Sequence, residues 1–165
     1  MRYFFVLIVA FFLTSTLTAQ VSFSLNFNID NQPAWGPTGY DYAEFYYLPD
    51  IEIYYNVPQH RFYYNERGRW IYSSYLPSRY RNYDLYNSYK VVVNEQRPWR
   101  NHENYKEKYS SYKGNHDQQP IRDSRDSKYF VNKNHPEHNN WVKQKKNDQG
   151  KGNDKNNNRD KNKKN

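Results

Sequence analysis

The residues of this chain that could do chemistry are few in kind. Four carboxylates, Asp41, Glu44, Asp50 and Glu52, lie close together. Paired carboxylates serve glycoside hydrolysis or bind calcium. Neither the spacing nor a calcium loop accompanies these four, so they read as solvated turn residues. His135 and His138 flank Pro136 and Glu137. Two histidines can ligate a metal, yet a zinc site needs a third or fourth ligand. None lies nearby, and a solvated linker is the reading. With no cysteine, thiolate metal sites, a cysteine nucleophile and disulfides are excluded. No nucleophile elbow, phosphate loop or zinc-protease helix occurs. No catalytic residue, metal or cofactor is expected, and an enzyme is not.

What remains is aromatic. The chain of 165 residues holds 19 Tyr and 4 Trp. Phe45-Tyr46-Tyr47, Ile53-Tyr54-Tyr55, Phe62-Tyr63-Tyr64 and Trp70-Ile71-Tyr72 recur at spacings of 8, 9 and 8. Turn residues separate them, including Pro49, Pro58 and an Asn65-Glu66-Arg67-Gly68 run suited to a type I turn. Short aromatic runs with turns between them predict a β-meander. The first and third residues of each run should share one face. The middle residues Tyr46, Tyr54, Tyr63 and Ile71 should share the other, with Tyr46, Tyr54 and Tyr63 as a candidate binding face. Either later chain covers that face, or it is an exposed aromatic surface for binding or assembly.

The meander needs flanking elements. Val21, Phe23, Leu25, Phe27 and Ile29 alternate with polar residues through Asp30, which predicts a half-buried strand. Tyr80, Tyr83, Tyr86 and Tyr89 recur every third residue among weak helix formers. They predict an irregular, tyrosine-packed segment that leads into a strand at Lys90–Val93 and covers the second face. Trp99 in Arg97-Pro98-Trp99-Arg100 should pack on the sheet. A short helix is expected over Glu103–Tyr112, with Tyr105, Tyr109 and Tyr112 on one side. Beyond Lys113 order should fade, with weak docking by Ile121 and Tyr129-Phe130-Val131. The fold class is therefore mainly β: a small antiparallel meander with a short accessory helix, between an N-terminal signal helix and a disordered basic tail.

The ends of the chain address it. Arg2 precedes an apolar run from Tyr3 to Leu13. That run is too short for a bilayer core, which needs about 20 residues. Small polar residues follow, so 1–19 reads as a secretory signal cut after Ala19. No other segment reaches membrane-span length. The absence of cysteines and of Asn-x-Ser/Thr fits a bacterial periplasmic or extracellular protein. The net charge of +8 is uneven: residues 144–165 carry eight Lys/Arg against three Asp, and residues 20–143 carry 16 against 14. Lys145, Lys146, Lys151, Lys155, Arg159, Lys161, Lys163 and Lys164 could attract polyanions. The tail holds no apolar residue, so disorder and simple solubilisation are the plainer reading. Four parts result: the signal at 1–19, a tyrosine-rich β domain at 20–112, a weakly ordered linker at 113–143 and a disordered tail at 144–165.

Leu, Ile, Val and Phe number only 21 in residues 20–165, against 18 Tyr and 4 Trp. Foldability thus rests on aromatic rings whose polar tips need partners, and oligomerisation could complete so small a core. Trp35-Gly36-Pro37-Thr38-Gly39-Tyr40-Asp41-Tyr42, Tyr47-Leu48-Pro49-Asp50-Ile51-Glu52-Ile53-Tyr54-Tyr55, Tyr80-Arg81-Asn82-Tyr83-Asp84-Leu85-Tyr86, Tyr89–Asn94 and Ile121–Asp126 resemble a group of small secreted proteins of Bacteroidota bacteria. The resemblance spans about residues 20–130 and implies export and a shared fold, with no activity attached. Two functions are expected. The first is an exported cell-envelope protein with a structural or interaction role through an aromatic β surface. The second is a binding module for glycans or anionic polymers (polysaccharide, lipopolysaccharide, nucleic acid), using aromatic stacking and the basic tail. The expected partner is an envelope glycan or another envelope protein.

Overall fold

Three chain reversals turn the four aromatic runs into a meander. The computed structural model describes residues 27–148. The signal segment, most of the Val21–Asp30 strand prediction and residues 149–165 lie outside the described residues. Strands β1 (Phe45–Leu48), β2 (Ile53–Asn56), β3 (Arg61–Glu66) and β4 (Arg69–Ser73) form successive antiparallel hairpins. Strand β5 (Val91–Val93) returns to pair with β1, giving the order β4-β3-β2-β1-β5. One short helix, α1 (His102–Lys108), follows. The mainly β meander and its accessory helix are thus as the sequence predicts.

The turns differ in detail. Glu52 and His60 close the first two loops with φ of 57° and 53°. In the third, Glu66 pairs with Arg69, leaving Arg67 and Gly68 as the whole loop, with φ of 53° and 82°. Positive φ at both central residues defines a type I′ hairpin, whose twist matches that of the strands. The expected type I turn is therefore corrected. Asn65 still supports it by accepting the Gly68 amide at 2.9 Å.

Loop length also decides which side chains share a face. Each loop has an even number of residues, so cross-strand partners have opposite parity. Runs spaced by 8 swap faces and runs spaced by 9 keep them. Tyr46 lies opposite Tyr55, Tyr47 opposite Tyr54, and Tyr54 opposite Tyr63. One face therefore carries Tyr46, Leu48, Ile53, Tyr55 and Phe62, and the other Phe45, Tyr47, Tyr54 and Tyr63. The expected common face of Tyr46, Tyr54 and Tyr63 does not form: Tyr46 stands apart from the other two.

Both faces are covered by the chain itself. Trp35, Leu76, Tyr80, Tyr83 and Leu85 pack on the first. Trp99, Tyr105 and Tyr109 pack on the second. The tyrosine-rich segment covers the face that holds Tyr46, while Trp99 and α1 cover the face of Tyr54 and Tyr63. A buried Lys90 ties down the covering loop. Its ammonium donates to the carbonyls of Leu85, Tyr86 and Ser88 at 2.8, 3.4 and 2.6 Å, and burial lowers its pKa to about 8.

Three expectations are corrected at the flanks. Phe27 to Asp30 form no strand; Ile29 and Asp30 lie in a turn. The Asn28 side chain donates to Ala43 O at 2.7 Å and accepts from Ala43 N at 3.0 Å, and the Asn28 carbonyl accepts the Asn31 and Gln32 amides. The Asn28 side chain thus takes up the Ala43 backbone groups in place of a strand ladder. Residues 113–137 are also better anchored than a weakly ordered linker. Ile121 and Tyr129 are buried with Ile29. Pro120 bridges to Pro37, and the fully buried Asn132 donates to the carbonyls of Ile29 and Gln32. Residues 138–148 are helical, so Gln144 to Asp148 depart from the disorder expected of the tail.

Gly36 marks the tightest approach. A Cβ there would stand 2.6 Å from the Tyr46 hydroxyl and 3.0 Å from its ring. That hydroxyl is fixed by donation to Gln32 Oε1 at 2.8 Å. Gly36→Ala should destabilise the fold by about 1–3 kcal/mol through overpacking, read as a lower urea midpoint with an unchanged slope. An unchanged midpoint would show that Tyr46 can move aside.

Candidate functional site

The four carboxylates do not converge. Asp41 pairs with Lys128 at 2.8 Å. Asp50 accepts the Tyr83 hydroxyl and the Gly114 amide, each at 2.7 Å. Glu44 accepts from Tyr42 and Asn56. Glu52 faces Lys113, Lys106 and His102 at 2.8, 3.6 and 3.7 Å. Three of the four thus fasten the meander to later chain. His135 and His138 are also occupied: their ring nitrogens reach Ser124 O at 3.0 Å and Phe130 O at 2.8 Å. Among the described residues no three His, Asp or Glu side chains group as a metal site.

The expected binding residues separate. Tyr46 and Tyr54 are fully buried, so neither presents a ring to a ligand. Tyr63 is half-buried and accessible. Of the tail cations, Lys145 and Lys146 are exposed on the 138–148 helix, with the Lys145 ammonium 4.9 Å over the Trp141 ring. The other six lie outside the described residues.

Around Tyr63 the fold builds a site that the sequence did not place. Trp99 stacks on Tyr63 with centroids 4.4 Å apart and planes 12° apart. Phe45 meets Trp99 edge-on at 5.7 Å, and Trp70 lies beyond at 6.3 Å. Of these rings Tyr63, Trp99 and Phe45 line an open cavity of about 330 Å³ whose other walls include Glu44, Gln59, Gln96 and Arg97. Gln59 is held in place, since its Oε1 accepts the Tyr63 hydroxyl at 2.9 Å. Asn56 Nδ2 lies 3.4 Å from Glu44 Oε1. A concave aromatic surface with a few convergent polar groups is the general form of a small-ligand site.

Arg97 gives that site its clearest irregularity. It adopts φ 52°, ψ 55° directly before Pro98. A residue before proline is driven toward extended conformations, and a non-glycine residue in the left-handed region costs on the order of 1–3 kcal/mol. Pro98 starts the short 3₁₀ turn Pro98–Asn101 that seats Trp99 over Tyr63. The strained arginine is thus the joint that lays the indole on the sheet. The sequence does predict that Trp99 packs there. The polar rim escaped it, because Glu44, Gln59 and Gln96 come from three separate segments with no common motif.

A second polar cluster sits beside α1. The Tyr54 hydroxyl reaches His102 Nδ1 at 3.2 Å, and His102 Nε2 faces Glu52. Burial, followed by carboxylate and phenol neighbours, pushes the Tyr47 and Tyr54 hydroxyls far above their ordinary pKa. Neither can act as a base near neutrality. The Tyr47 hydroxyl is buried with no hydrogen-bond partner among the described residues. The arrangement serves to join α1 to the first hairpin.

No protein family, curated protein or solved structure matches this chain. No helix among the described residues is long and apolar enough to cross a membrane.

The Glu52–His102 cluster makes stability depend on pH. Burial pushes the His102 imidazole below 6.5, although Glu52 and Glu103 oppose it. The unfolded chain therefore binds a proton first, and stability falls as pH drops through 6.5. Burial acts to raise the Glu52 carboxyl, but the Lys113 bond and the neighbouring positive charges hold it below 4.5. Its contribution is present above 4.5 and is lost as pH falls further. Melting temperature should thus decline from pH 7 to 5 and again below 4.5. His102→Asn should flatten the first decline and Glu52→Gln the second.

Proposed function

We propose that the protein is an exported, non-catalytic binding module of the cell envelope, and that its ligand is a glycan seated on Tyr63 and Trp99. The observation that carries this reading is the stacked Tyr63–Trp99 pair flooring a cavity walled by Glu44, Gln59, Gln96 and Arg97. Sugar rings present apolar C–H faces and a fringe of hydroxyls. The part of the stacked pair left open to the cavity suits the first, and carboxylate, amide and guanidinium groups suit the second. The strain at Arg97 adds support, since such outliers cluster at ligand clamps.

The reading favours a local site over a broad aromatic surface. With both sheet faces covered by the chain, an assembly surface made of the whole meander has no room. Export is supported by the apolar run Tyr3–Leu13 and the small residues that follow. The basic residues near the C-terminus would add attraction to anionic polymers without selecting one.

Purified protein should co-sediment with peptidoglycan sacculi, or be retarded in gels containing soluble polysaccharide or lipopolysaccharide. Trp99→Ala should weaken that retention at least about ten-fold, the order of losing one buried aromatic contact. Arg97→Ala, at an exposed position, should weaken it less while leaving the fold intact. Tyr46→Phe, on the opposite face, should not change it. Retention by none of these polymers, or equal retention by Trp99→Ala, rejects the proposal.

A further inference from the structure

We infer that β4 is a self-pairing edge, at which two copies of the chain join their sheets into one. The inference rests on the edge of the sheet and is independent of the Tyr63–Trp99 cavity.

Backbone parity defines what the edge offers. In a two-residue hairpin the flanking residues form a hydrogen-bonded pair, here Glu66 and Arg69. Arg69, Ile71 and Ser73 therefore direct their N–H and C=O groups toward β3. Trp70 and Tyr72 direct theirs outward. Among the described residues no other backbone group bonds either of them. The opposite edge differs. The backbone groups of Lys90, just before β5, face outward and are capped, since the Gln118 side chain donates to the carbonyl and accepts the amide, each at 2.9 Å. That leaves Val92 as the one outward-facing residue of that three-residue strand.

Natural edge strands are usually protected by proline, bulges or central charges. Strand β4, Arg-Trp-Ile-Tyr-Ser, has none at its centre. Two of the four exposed large hydrophobics among the described residues lie in or just after this strand: Tyr72 is 57% and Tyr75 80% exposed.

The strand is complementary to itself. When two copies pair antiparallel about Ile71, Trp70 falls opposite Tyr72 of the second copy, and Tyr72 opposite its Trp70. The four outward donors and acceptors of one copy then meet those of the other. Ile71 meets Ile71 on one face, and each Trp70 meets a Tyr72 on the other, an aromatic cross-strand pair of the stabilising kind. Arg69 falls opposite Ser73, so the two arginines are not opposed. The same two-fold relation is isologous and closes at a dimer. Its axis runs perpendicular to the joined sheet, so both Tyr63–Trp99 cavities open on one side.

The register is testable because the chain has no cysteine. Ile71 would face its counterpart as a non-hydrogen-bonded pair, with Cα atoms about 4.5 Å apart, within disulfide range. Purified protein should sediment at twice the chain mass without any glycan. Ile71→Cys should form a disulfide-linked dimer in air, whereas Arg69→Cys should not. Tyr72→Pro removes one outward donor per copy and no bond to β3. It should raise the dimer dissociation constant by about ten-fold or more with an unchanged β spectrum. A monomeric parent protein overturns the inference. So does equal cross-linking of Arg69→Cys, or an undiminished dimer in a folded Tyr72→Pro. If Tyr72→Pro fails to fold, the two cysteine variants decide. Loss of glycan retention in Trp99→Ala with the dimer intact would bear on the cavity alone.

Discussion

The pairing of β1 with β2 is the constraint on which the rest of the molecule depends. Its register sets Tyr46 against Tyr55 on one face and Tyr47 against Tyr54 on the other. Those four rings are almost wholly removed from water. A sheet aromatic on both sides cannot leave either side bare, because each large ring contributes much of the available apolar burial. The chain therefore has to return twice, once on each face. Trp35 and the Leu76–Leu85 stretch make one return, and Trp99 with α1 makes the other.

Those returns explain where the charged and polar residues went. Asp41, Asp50 and Glu52 sit at the margins of the sheet and hold covering segments by contacts to Lys128, to Tyr83 and Gly114, and to Lys113, Lys106 and His102. The exposed ion pairs among them contribute little each. Their value is positional, since a covering segment already held by buried rings needs only local fasteners at its edges. Lys90 plays the same part inside, where three carbonyls of one loop gather on a single ammonium.

Where the returning chain stops short, function has room. Trp99 covers Tyr63 by stacking and leaves a cavity beside it. On the far side of β3, β4 ends the sheet with its outer backbone groups unpaired among the described residues. The proposed glycan site and the proposed dimer edge thus share one origin: the chain covers the centre of its sheet and leaves one flank open.

The meander, its return strand near Val91 and the short helix near Tyr105 were all legible in the residues. Each follows from local pattern: aromatic runs, turn residues between them and tyrosines three or four apart. Local pattern also located Trp99 on the sheet. It did not settle faces, because a face depends on the parity of loop lengths, and a one-residue change in a loop reverses every side chain beyond it. Hence Tyr46 parted from Tyr54 and Tyr63. It pointed to docking by Ile121 and Tyr129, which the fold buries with Ile29, but not to the anchor at Asn132, whose partners lie about a hundred residues away. The polar rim of the cavity was out of reach for the same reason. Composition and spacing determined that this chain forms a tyrosine-built sheet. Long-range packing alone decided which rings are buried, and which few are left to meet a ligand or a second copy.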